Sequence, residues 1–71
     1  MWPEFKTFYL IPQEGLPYDE QREVFKKMID ICKELSSDIG HFDMLIQFDD
    51  EVKFTRAELA LTEAKIKWQE R

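Results

Sequence analysis

Seventy-one residues hold one domain with a thin core, since a chain this short hides only about 60% of the surface its unfolded form exposes; with 44% apolar residues, some hydrophobic area is left for a second chain. The formal charge of −5 is confined to Asp38–Glu51, where five acids stand without a Lys or Arg, and this balance argues against direct binding of nucleic acid or anionic membrane, whose phosphates need cations. A lone cysteine rules out an internal disulfide framework, no apolar run is long enough to span a membrane, and Met1-Trp2-Pro3-Glu4 lacks the basic start of a secretory signal, so a cytoplasmic chain is expected.

Glu4 to Pro12 is rich in aromatic and branched residues, is too short for a stable helix, and ends before a Gly15-Leu16-Pro17 turn, which predicts a first strand. From Asp19 to Ile39 the apolar residues Val24, Phe25, Met28, Ile29, Ile31, Cys32, Leu35 and Ile39 fall on one helical stripe. Asp19 is the expected N-cap and Gly40 the left-handed C-cap. Phe42 to Phe48 alternates and predicts a strand, with Val52–Phe54 as a short return strand. A three-residue loop, Asp49-Asp50-Glu51, keeps Phe48 opposite Val52 and Ile46 opposite Phe54 on one face, so the acids form a hairpin tip. Thr55 with Glu58 reads as a capping box opening a helix to the C-terminus. Its buried stripe is Ala57, Ala60, Leu61, Ala64 and Trp68, with Leu59 and Ile66 pointing away. The expected fold is α+β: a single two-layer β-α-β-β-α domain over residues 1–71, a three-stranded sheet with two helices on one face.

Chemistry is sparse in this chain. A structural zinc site needs about four Cys or His ligands, and only Cys32 and His41 are present. Cys32 sits in the apolar stripe and reads as a packed, inert thiol, and no nucleophile is placed beside His41 by any motif. Asp49-Asp50-Glu51 lacks the ligand spacing and central Gly of a calcium loop, and the two glycines stand too far apart for a phosphate loop. No catalytic residue, metal site or cofactor is expected, and the chain reads as a non-enzyme.

A binding role remains. Asp38, Asp43, Asp49, Asp50 and Glu51 are the expected acidic contacts for a protein partner with a basic surface, because a dense charge of one sign speeds encounter with its opposite. Leu45, Leu59 and Ile66 are the expected apolar contacts, Leu45 together with either Phe8 and Leu10 or Tyr9 and Ile11 on a sheet face that no element is left to cover. The expected function is that of a small acidic, non-enzymatic binding module, an inhibitor of phage or mobile-element type that docks its acidic hairpin end on a basic host surface. The alternative is an assembly subunit that forms a homo-oligomer, such as a homodimer, through its apolar faces. A metal-dependent hydrolase would instead need a divalent ion at Asp49-Asp50-Glu51.

Overall fold

Apolar residues recur at helical spacing over Val24–Cys32 and alternate over Ile46–Phe48, and these runs form inner faces of the fold. The computed structural model describes residues 6–71. They form β1 (Phe8–Pro12), α1 (Tyr18–Cys32), β2 (Asp38–Gly40), β3 (Leu45–Phe48), α2 (Glu51–Glu63) and β4 (Trp68–Glu70). The strands make one antiparallel sheet in the order β2-β3-β1-β4. This is topologically the split β-α-β arrangement known as ferredoxin-like, which by itself assigns no activity. The class is α+β as expected, with four strands where three were expected.

Register decides which side of the sheet is inside. Phe8 lies opposite Phe48, and Leu10 and Ile39 flank Ile46, so these residues share one face. Leu10, Ile46 and Phe48 are fully buried there. Above them α1 sets Val24, Phe25, Met28 and Cys32 at helical spacing, and α2 sets Phe54, Ala57 and Leu61. Phe54 stacks on Phe8 at 4.6 Å between ring centroids and meets Phe48 edge-on at 5.5 Å. Each such large side chain contributes about 1.5–3 kcal/mol by leaving water.

Several boundaries differ from the sequence expectation, each for a local reason. Helix α1 starts behind Pro17, which takes the N-cap position without a side-chain bond, and Asp19 falls in its first turn. It stops at Cys32 instead of Ile39. The amides of Leu35 and Ser36 both turn back to the Cys32 carbonyl, and Ser37 N–H already donates to Gln47 O in the sheet. Ile39 therefore reaches the core from β2, and Gly40 pairs with Leu45 rather than capping the helix. Residues 41–44 form the turn between β2 and β3, which puts Phe42 in solvent at 98% exposure.

The expected return strand Val52–Phe54 is the first turn of α2. Asp50 Oδ1 accepts from Val52 N–H at 2.8 Å and Lys53 N–H at 3.1 Å, an N-cap that starts the helix five residues before Thr55. Asp49-Asp50-Glu51 is thus a strand-to-helix junction and not a hairpin tip. At the other end Lys65 takes a left-handed φ of 58°, Lys65 N–H donates to Thr62 O and Ile66 N–H to Leu61 O. This Schellman motif turns the chain back. Ile66, expected to point outward, packs against the core instead, and Trp68–Glu70 leaves the helix to pair with Leu10–Pro12. The expected strand start at Glu4 and the leader reading of Met1–Glu4 lie outside the described residues.

Candidate functional site

The β2–β3 turn and the start of α2 lie at opposite ends of β3, and this divides the five acids. Asp38 on β2 is the cross-strand partner of Gln47, and Gln47 Nε2 donates to Asp49 Oδ1 at 3.3 Å. Asp50 and Glu51 follow, so four acids gather at one end of the sheet. Asp43 sits in the turn at the other end, up to roughly 20 Å from Asp49 at about 3.3 Å per residue. All five are exposed. The two ion pairs among the described residues, Lys26–Glu23 and Lys67–Glu20, involve none of them. Asp50 spends one oxygen on the helix start, and among the described residues no group of three or more His, Cys, Asp or Glu is arranged to hold a metal ion.

The face of the sheet away from the helices carries Tyr9 and Ile11 of β1, Leu45 and Gln47 of β3, Asp38 of β2 and Gln69 of β4, as the pairs Tyr9–Gln47, Asp38–Gln47, Gly40–Leu45 and Ile11–Gln69 require. Leu45 lies on it as expected, with Tyr9 and Ile11 rather than Phe8 and Leu10. Among the described residues no element covers this face. Leu59 projects from α2 at 60% exposure, without Ile66 beside it.

A third feature escaped the sequence reading. Tyr18, Arg22, Phe25, Lys26 and Ile29 recur at three- and four-residue spacing on one side of α1. Opposite them the turn supplies His41, Phe42 and Met44, and the two walls enclose a cleft of about 250 Å³. His41 rests edge-on against Phe25 at 6.2 Å, which fixes the turn to the helix. Met44 holds a left-handed φ of 53°, a conformation that costs a residue with a Cβ about 1–2 kcal/mol. The spacing on α1 was visible in the sequence, but the facing wall was not, because Phe42–Met44 read as strand.

Among the described residues two titratable groups are shifted. Cys32 is fully buried, and burial pushes its thiol up to about 11. Glu58 on α2 lies beside Glu70 on β4; partial burial, then a hydrogen bond to Glu70 and the charge of Glu70, hold its carboxyl above the usual 4.5. Comparison with protein-family models, with curated proteins and with solved structures finds no match for this chain, so its functional reading rests on its own geometry.

Proposed function

We propose that this chain is a small protein-binding module without catalytic activity, and that a partner with a basic, partly apolar surface docks on its uncovered sheet face and adjoining acidic end. The adjacency of the two surfaces supports the reading. Gln47 lies between Tyr9 and Asp38 and binds Asp49, so apolar area and uncompensated carboxylates are continuous. An apolar centre with a charged rim divides the work of binding: buried area slows dissociation, and the rim speeds and orients encounter.

Self-association is a second reading, favoured by the apolar character of Tyr9, Ile11 and Leu45. Two copies meeting through this face bring acidic ends into one interface, which costs more as salt falls. The test is a pull-down with the native chain, followed by binding kinetics of the captured partner with two variants. Asp38→Asn/Asp49→Asn/Glu51→Gln spares the Asp50 cap and should slow association several-fold at low salt, with little effect at high salt. Leu45→Glu should abolish binding. Unchanged kinetics for the acidic variant at low salt, or full binding by Leu45→Glu, refutes the proposal.

A further inference from the structure

We propose that the cleft between α1 and the β2–β3 turn is a separate binding site that takes an acidic peptide segment of a partner protein, one aromatic or large aliphatic side chain entering between helix and turn. Its volume of about 250 Å³ lies below the ~300 Å³ at which pockets begin to enclose drug-sized ligands, and suits a single large side chain. Its walls contain two cations, Arg22 and Lys26, and no carboxylate, an inversion of sign on a chain of net charge −5. The two are one helical turn apart and project together. Arg22 makes no ion pair among the described residues. Lys26 meets Glu23 at 3.6 Å in an exposed pair, a contact weak enough to exchange for a ligand carboxylate.

The mouth is lined by aromatics that the fold leaves in water, Phe42 at 98% and Tyr18 at 66% exposure. Neither supports the core, and aromatic side chains beside a pocket are the groups that gain most when a partner covers them. Met44 adds an unbranched, polarisable side chain that can adjust to its guest, and its left-handed backbone holds the turn in the shape that forms the wall. Aromatics with cations also suit single-stranded nucleic acid. The number of cations decides against that occupant: two can pair with two carboxylates beside one anchored side chain, whereas a strand brings a phosphate with every nucleotide, and Asp43 stands on the same turn.

The experiment is a titration of the isotope-labelled native chain, followed by amide NMR, with four probes. These are a blocked Glu-Glu-Trp-Glu-Glu peptide, its Lys-for-Glu counterpart, its Gly-for-Trp counterpart, and an octathymidylate strand. The acidic tryptophan peptide should give saturable shifts confined to residues 18–29 of α1 and residues 41–44, and the other three should give little. Arg22→Glu/Lys26→Glu and Phe42→Ala should each weaken that binding by about tenfold. All three residues are exposed, so an unchanged spectrum for the rest of the chain shows that the variants fold. The proposal fails if the acidic peptide shifts nothing at millimolar concentration, if the Lys peptide or the oligonucleotide binds as well, or if the shifts fall on the sheet face around Tyr9 and Leu45. It also fails if the cleft signals broaden with protein concentration alone, which would make a second copy the occupant.

Discussion

Asp50 is both a member of the acidic end and the residue that starts α2, and substitution separates the two roles. Its Oδ1 accepts from two backbone amides, at 2.8 and 3.1 Å, that have no other partner within the helix. Removing an N-cap acceptor costs about 0.5–2 kcal/mol. Removing a negative charge from a helix N-terminus costs about 0.3–1 kcal/mol more. Asp50→Ala should therefore lose about 1–3 kcal/mol, and Asp50→Asn, which keeps the acceptor, less than about 1 kcal/mol. In a domain of this size each kcal/mol moves the midpoint by about 4–8 °C, so Asp50→Ala melts well below the native chain. Thermal and urea unfolding followed by circular dichroism reads the order, with Asp49→Ala as a control. Among the described residues the Asp49 side chain meets only the Gln47 side chain, at 3.3 Å in an exposed position, so its loss should stay within about 0.5 kcal/mol. Equal damage from Asp50→Ala and Asp50→Asn, or none from either, would refute the capping argument, and a deficit of Asp50→Asn that persists in high salt would refute its electrostatic part.

Cys32 should resist a thiol reagent in the folded state and react only on unfolding, because it is inaccessible and its thiol is pushed up to about 11; rapid native labelling would contradict the packing of α1. Glu58 binds its proton more tightly folded than unfolded, so its contribution to stability is fully present below the ordinary 4.5 and is lost as pH rises through the raised value. Glu58→Gln, which imitates the protonated form, should melt above the native chain at neutral pH and converge with it below 4.5; a pH-independent difference would show that neither burial nor Glu70 raises the Glu58 carboxyl. Lys65→Gly should stabilise by about 0.5–1 kcal/mol by relieving a left-handed residue, and a lower denaturation midpoint would show that the Lys side chain contributes more than the strain costs.

The inner faces of α1 and β3 were legible because their apolar periods are long or regular enough to admit one reading. Val24, Phe25, Met28 and Cys32 are inside on α1, and Ile46 and Phe48 on β3. The end of α1 was not legible. Leu35 and Ile39 happen to continue the helical phase, and only Ser36-Ser37 hints at the turn that carries Ile39 into the sheet. The start of α2 was a contest between two local motifs. Thr55 with Glu58 is the fuller capping box, yet Asp50 prevails because helix from Glu51 onward lets Phe54 stack on Phe8. That choice also moved the acids from a hairpin tip to a helix start. Trp68–Glu70 read as helix because Lys65, and not a Gly, takes the left-handed position that ends α2. The acidic residues were thus identifiable one by one, while their division between two ends of the sheet depended on turns that single-residue preferences leave open.

The sheet order also dictates a sequence in time. β2 and β3 are joined by a four-residue turn and can zip within microseconds, whereas β1, central in the sheet, pairs with strands far along the chain, its Leu10 opposite Glu70. Closing those long loops costs entropy before any contact is made, so β1 is expected to dock late and the folding rate to follow that step. Until then the strand that carries Leu10 has both hydrogen-bonding edges open. In a crowded refolding mixture that interval is when one copy can lend its first strand to another, and dilution should suppress the exchange.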